Sequence, residues 1–372
     1  MLAITIVPGR ADSVTLAKVA EPSADEGCLL VRALQLGVCG TDFDLIAGDY
    51  GWAPEACGHL ILGHESFGEV QEAPAGSGFN SGDLVLGIVR RPDPAPCSAC
   101  AVGEWDMCRN GRYTERGIKE RHGFGSERWR IEPAFALKVE PGLRDVGVLI
   151  EPGSVLAKAW EHIEHIGQRA HWRPKTVLIT GAGPIGLLAA LMGRQRGLEV
   201  HVLDQVTDGP KPKLVDDLGA KYHTGKAEEL GFAPDVVIEC TGSASVLRDC
   251  LLHLGSGGIL CVVGSSAHSQ DALLDVGELS RGMVLGNRVA FGVVNAHRRH
   301  YEQAAEAIRR GERSWVSGII TRREPITNWQ AAFQREPRDV KVVIDFANPL
   351  LPALAGAQIV DMRGVVQAVP RV

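Results

Sequence analysis

The hydrophobic pattern changes character partway along the chain. Residues 2–7, 14–19 and 29–36 are short apolar runs parted by Pro-Gly, Pro-Ser and Asp-Glu-Gly breakers, which predicts β-structure. Ser81-Gly82-Asp83 turns into another apolar run at Leu84-Val85-Leu86. From residue 154 the periods lengthen. Residues 154–167 read as a helix, and residues 176–180 as a buried β-branched strand. Gly181, Gly183 and Gly186 follow, then the helix formers of residues 187–192 up to a stop at Gly197. A second apolar strand at residues 200–203 ends on Asp204, completing a βαβ unit. Further strands at residues 235–239 and 258–263 continue the alternation to about Asn295. An amphipathic helix is predicted over residues 297–310, with Ala304, Ala305, Ala307 and Ile308 on its inner side. Short strands and a helix return over residues 315–345.

The βαβ unit carries the first chemistry. In the G-x-G-x-x-G spacing the first glycine permits a tight turn, the second admits a pyrophosphate close to the backbone, and the third lets helix and strand pack. The helix beginning at Pro184-Ile185-Gly186 offers free N–H groups to phosphate. Asp204 closes the second strand and is followed by Gln205, with no arginine beside it. A carboxylate there accepts from ribose hydroxyls and repels a 2′-phosphate, so NAD is expected over NADP. Thr241 and Gly264 end later strands at the carboxyl edge, where such sheets meet the cofactor.

Composition narrows the rest. A chain of 372 residues with 45% hydrophobic and 23% charged residues suggests a globular protein of two domains. A formal net charge of -6 argues against a nucleic-acid partner. No run is apolar enough to span a bilayer, and the start lacks a signal-peptide pattern, so a cytoplasmic location is expected. Nine cysteines in that setting point to metal or thiol chemistry before disulfides. Cys28, Cys57, Cys240, Cys250 and Cys261 lie among apolar or small residues and read as fillers.

Two clusters remain. Leu36-Gly37-Val38-Cys39-Gly40-Thr41-Asp42 is followed by Leu62-Gly63-His64-Glu65, and cysteine, histidine and carboxylate are the ligand set of a catalytic zinc. Cys97, Cys100 and Cys108 give C-x2-C-x7-C in a proline-rich loop, a second metal candidate.

With these motifs the chain resembles the zinc-dependent medium-chain dehydrogenase/reductase superfamily. Within it, Arg112-Tyr113-Thr114-Glu115-Arg116-Gly117-Ile118, His122-Gly123-Phe124, Leu149-Ile150-Glu151-Pro152 and Val293-Val294-Asn295 resemble the glucose 1-dehydrogenase branch. The resemblance covers residues 1–346. It implies an α/β fold: a β-rich GroES-like catalytic domain from residues 1–160 and 298–372, and a Rossmann, doubly wound parallel-sheet domain over residues 161–297. The active site is expected in the cleft between them.

Cys39 and His64 would hold the catalytic zinc, with Glu65 as ligand or close neighbour and Glu151 completing the set directly or through water. Thr41 would accept the proton of the substrate hydroxyl. Glu115, Glu151 and Asn295 would bind the sugar, Asn295 also facing the cofactor. Cys97, Cys100 and Cys108 would hold a structural zinc. The superfamily's usual first cysteine is replaced by Pro94, which leaves Asp93 as the candidate fourth ligand. The implied reaction is oxidation of an aldose at C1, D-glucose first, to the lactone. Another polyol, cyclitol or amino sugar remains open, because function lives in the site rather than the fold. A homodimer or homotetramer is expected. The extension over residues 348–372 has no counterpart in the superfamily.

Overall fold

The computed structural model describes residues 1–55, 57–265, 272–346 and 360–361. Contacts divide the chain into two units. The first takes Met1–Glu151, Arg322–Pro337 and the chain from Val342, and the second takes Pro152–Thr321 and Arg338–Lys341.

In the first unit, β1 (Leu2–Ile6) pairs antiparallel with β2 (Thr15–Lys18). The long strand β3 (Leu29–Gly37) leads into helix α1 (Gly40–Ala47), after which the two-residue β4 (Leu60–Ile61) pairs back onto β1. β5 (Glu65–Glu72) pairs antiparallel with β3 and brings Glu65 opposite Gly37. β6 (Leu84–Gly87) extends this sheet. A small sheet follows from β7 (Arg90–Arg91), β8 (Thr114–Arg116) and β9 (Glu120–Arg121), with the short helix α2 (Ser98–Ala101) between its first two strands. β10 (Arg128–Ile131) pairs with β3 and β11 (Ala136–Val139) with β6. The late strand Lys341–Asp345 returns to the other side of β3.

The alternation read from the sequence is the cause of this arrangement. β3 turns Leu29, Val31 and Ala33 inward while Leu30 and Arg32 lie partly exposed. The core gathers Ile4, Leu29, Val31, Leu36, Phe124, Trp129 and Ile131 with Trp329 and Ile344 from the late segment. Of the extension, Val360–Asp361 pairs in parallel with β2; the rest of residues 348–372 lies outside the described residues.

Helix α3 (Ile150–Gly167) starts at the end of the first unit, and from Pro152 it belongs to the second, where a parallel sheet follows it. Its elements are β12 (Thr176–Thr180), α4 (Pro184–Gln195), β13 (Glu199–Leu203), α5 (Pro210–Asp217), β14 (Lys221–His223), β15 (Val236–Glu239), α6 (Ala244–His253), β16 (Ile259–Val262), α7 (Val276–Gly286) and β17 (Val289–Gly292). The spatial order β14-β13-β12-β15-β16-β17 is the doubly wound order that reverses beside the first strand. Helix α8 (Arg298–Arg310) buries Ala304, Ala307 and Ile308, as its pattern predicts, while Ala305 is only partly covered. Among the described residues no helix is long and apolar enough to cross a membrane.

Candidate active site

The first cluster is built at the end of β3. Cys39 caps α1, and its amide donates to Asp42 Oδ2 at 2.8 Å, which turns the first helical turn back onto the cysteine. The Thr41 hydroxyl lies 4.0 Å from Cys39 Sγ. Across the β3–β5 pair, Glu65 points at the strand position of Gly37, where a Cβ would stand 1.9 Å from Glu65 Oε2. Glycine at 37 is therefore a steric requirement for the carboxylate. The donor atoms of Cys39, His64 and Glu65 all lie within 4.8 Å of one another.

His64 is delivered by a run whose carbonyls at Ile61, Leu62 and Gly63 are engaged by residues 123–125. Nδ1 of His122 accepts from the Ile61 amide at 3.2 Å, and the amides of Gly123, Phe124 and Gly125 donate to Ile61, Gly63 and Leu62. A Cβ at Gly123 would stand 2.4 Å from the carbonyl oxygens of both Gly63 and Leu62, so the close approach needs glycine.

His64 is buried, with Nδ1 3.7 Å from Asp42 Oδ1. Burial alone would depress its pKa, but Asp42, Cys39 and Glu151 together raise it well above the ordinary imidazole value. Negative charge is thus concentrated on one imidazole. A cysteine sulfur, an imidazole and carboxylates converging in this way are the donor set of a zinc ion. Glu151, in the first turn of α3, is buried.

Glu115 sits on β8, buried, where Oε1 accepts from Arg90 Nε at 3.0 Å. The Arg90 guanidinium lies over the Tyr113 ring at 3.7 Å. The sequence alone shows no sign of this pairing, because Arg90 is brought in by the β7–β8 ladder.

The second cluster brings together Cys97, Cys100 and Cys108. Cys97 caps α2 and its sulfur accepts from the amides of Arg109 at 3.3 Å and Cys100 at 3.5 Å. Those amides, Arg109 first, bring the thiol down to about 6, as suits a metal-binding thiolate. Asp93 meets this group through its backbone, in a hydrogen bond to the Cys100 sulfur, while its carboxylate bonds elsewhere. Its Oδ1 accepts from the Ala95 amide at 2.8 Å, and its Oδ2 from Asn110 Nδ2 at 2.8 Å and Arg112 Nε at 3.3 Å.

A third cluster was not anticipated, since Cys57 read as a filler. Its sulfur lies 3.5 Å from His59 Nδ1 and 3.6 Å from His122 Nε2. The Ile61 amide occupies Nδ1 of His122, so the ring proton belongs on Nε2, facing the sulfur. That leaves a thiol–imidazole contact rather than a ready ligand set. Cys250 and Cys261 are buried fillers, and Cys28 is exposed.

In the second unit the glycine turn has the geometry that its spacing predicts. Gly181 takes φ +87° and donates to Leu203 O at 2.7 Å. Gly183 caps α4, with Pro184 and Ile185 opening the helix and nothing within 4 Å of where a Cβ would point. At Gly186 a Cβ would stand 1.8 Å from Gly181 O. Asp204 follows β13, but its carboxylate is already engaged. Oδ2 accepts from the Ala182 amide at 2.6 Å and from Lys211 Nζ at 3.2 Å, and Oδ1 from Val206 N at 3.0 Å. Burial would raise its pKa; the Val206 and Ala182 amides and the Lys211 charge outweigh that and lower it. Gln205 follows at the turn. Asn295 takes φ +60°, its Oδ1 accepting from the Ala296 amide at 2.8 Å.

The fold is that of the zinc-dependent medium-chain dehydrogenases/reductases. The family described as alcohol dehydrogenase GroES-like domain matches residues 25–141, and that described as glucose dehydrogenase C-terminus matches residues 144–346. The chain belongs to the glucose dehydrogenase family. Glucose 1-dehydrogenase of Methanocella arvoryzae is 36% identical over 356 residues, 93% of this chain and 99% of that protein. Glucose 1-dehydrogenase of Thermoproteus tenax is 38% identical over 352 residues, 92% of this chain and 99% of the relative. Among solved structures, Haloferax mediterranei glucose dehydrogenase in complex with NADP, zinc and gluconolactone superposes with a TM-score of 0.86 at 28% identity, covering 94% of this chain and 100% of that one.

Proposed function

We propose that the protein oxidises an aldose, D-glucose first, at C1 to the aldonolactone, using a nicotinamide dinucleotide. The observation that carries this reading is the convergence of Cys39, His64 and Glu65 beside Thr41, in a chain that also folds an open glycine turn at Gly183. Cys39, His64 and Glu65 would hold the catalytic zinc, with Glu151 as the second carboxylate completing the set, directly or through water. When bound, zinc supplies Lewis acidity to the anomeric hydroxyl and the nicotinamide supplies the hydride acceptor. Thr41 Oγ1 would accept a hydrogen bond from that hydroxyl and relay its proton, passing its own hydroxyl proton on toward solvent as the substrate's arrives. Glu115, held by Arg90, and Asn295 orient the remaining hydroxyls.

Cys97, Cys100 and Cys108 hold a structural zinc in this reading. Asp93 is the candidate for the fourth position, its Oδ2 held by Asn110 and Arg112 and its Oδ1 by the Ala95 amide. On the nucleotide, the Asp204 carboxylate favours NAD, whereas Lys211 beside it is the cation that would admit a 2′-phosphate. A homo-oligomer is supported by the exposed apolar residues Val276, Val284 and Leu285 on α7, next to the edge strand β17. Sedimentation of the purified protein reads its state directly.

The test is a spectrophotometric rate with D-glucose, D-galactose, D-xylose and myo-inositol, each with NAD and with NADP. Glucose-dependent reduction, lost in Cys39→Ser together with one zinc per chain, is the expected result. Turnover of inositol alone would move the substrate to another polyol, and silence on all four would overturn the reading.

A further inference from the structure

One side chain ties together the strand ends that surround the glycine turn. Glu239, the last residue of β15, is completely buried. Its Oε1 accepts from Thr180 Oγ1 at 3.3 Å, from the Thr241 amide at 2.6 Å, from Thr241 Oγ1, and from the Gly242 amide at 3.2 Å. Its Oε2 lies 3.3 Å from the same Gly242 amide. Its own carbonyl accepts from Val263 N at 2.8 Å and Gly264 N at 2.9 Å.

A buried carboxylate is costly unless donors surround it, and hydrogen bonds to a charged acceptor are stronger than neutral ones. Every side-chain donor here comes from the carboxyl edge of the sheet. Thr180 immediately precedes Gly181, and a Cβ at Gly181 would stand 3.2 Å from Thr241 Cγ2. Gly242 takes φ +69°, and a Cβ at Gly264 would stand 2.3 Å from its amide. The turns at Gly181, Thr241-Gly242 and Gly264 are therefore in mutual contact, and Glu239 is the group they share. No cation neutralises it in these contacts; its partners are amides and hydroxyls, which hold it in one place without competing for a ligand's phosphates.

We infer that Glu239 is a positioning residue for the dinucleotide, holding three turns as one preformed surface so that binding does not have to order them. The inference rests on the reading of this unit as the nicotinamide-dinucleotide domain. Preorganisation acts on affinity, because a ligand that must first order its site binds more weakly. The prediction is thus a change in nucleotide binding with the chemistry of the bound complex preserved.

The experiment uses the full-length zinc-replete protein and titrates NADH and NADPH by nicotinamide fluorescence. Glu239→Gln keeps the size and one carbonyl oxygen but removes the charge, and Thr180→Val removes one donor should the first variant fold poorly. The expected result is a rise in dissociation constant of about tenfold for Glu239→Gln, which weakens every bond to the carboxylate, and a smaller rise of about threefold for Thr180→Val, which removes one donor while the amides and Thr241 keep the carboxylate in place. Turnover at saturating nucleotide should stay within about twofold, because the positioning role predicts a KM effect rather than a kcat effect. Dissociation constants unchanged in both folded variants would overturn the positioning role alone. A wild-type protein that binds neither nucleotide would overturn the dinucleotide reading and this inference with it.

Discussion

At the scale of the residue, the absence of a side chain matters as much as the donors do. Gly37 has no unusual φ; it is glycine because Glu65 needs the space, a Cβ there meeting Oε2 at 1.9 Å. Gly37→Ala should therefore push the Glu65 carboxylate out of the Cys39–His64 cluster while leaving both strands paired. The expected outcome is catalytic zinc lost on dialysis and a kcat/KM lower by roughly a hundredfold, on the scale of lost metal-site partners. Metal content and steady-state rates check it together. Retention of zinc and rate would show that Glu65 stands outside the working set. The motif containing Gly37 is plain in the sequence, but the reason for the glycine is not, since Glu65 is supplied by another strand.

At the scale of the element, the βα turn separates two uses of glycine that the spacing alone treats alike. Gly186 packs its α-hydrogens against the Gly181 carbonyl, so alanine there must move backbone; Gly183 faces open space, so alanine intrudes only on a ligand. Gly186→Ala should destabilise the fold by about 1–3 kcal/mol, the usual cost of overpacking. Gly183→Ala should leave the thermal midpoint within a degree or two and weaken nucleotide binding. Thermal melts with and without NADH distinguish them, and equal melting losses in both variants would contradict the assignment.

The elements themselves were legible for the same local reason: strand, glycines, helix and terminal acid are adjacent in the chain. What stayed hidden is set by partners far away in sequence. Glu239 read as the end of a buried strand because Thr180, 59 residues earlier, is what gives it a task. The hold of Asn110 and Arg112 on the Asp93 carboxylate is likewise set by residues 17 and 19 positions later. The Asp204–Lys211 contact is by contrast local, seven residues apart at the start of α5.

At the scale of the whole molecule, pH acts on stability through the same histidine that holds the run before His64. His122 must be neutral to accept from the Ile61 amide, and burial first, then the His59 and Arg116 charges, depress it from an ordinary 6.5 to about 4. In the unfolded chain the ring takes a proton near pH 6.5; in the folded protein it resists until about pH 4. The unfolded state thus binds more protons between these values, and stability falls as pH drops through that window. Above it both states are neutral and below it both are charged, so the contribution levels off at each end.

The full difference corresponds to up to about 3 kcal/mol from this residue. His122→Asn isolates it, because the asparagine carbonyl can accept from Ile61 without titrating. Chemical denaturation at pH 7 and pH 4 should show the wild type losing more stability than the variant, by an amount approaching that figure. The variant should also keep the Cys39–His64 cluster at pH 7, and with it the catalytic zinc, since the Ile61 amide retains an acceptor. Parallel losses in the two proteins would mean that the acid sensitivity of the fold resides elsewhere, in His59 or the stacked His201–His223 pair, whose pKa values burial also lowers.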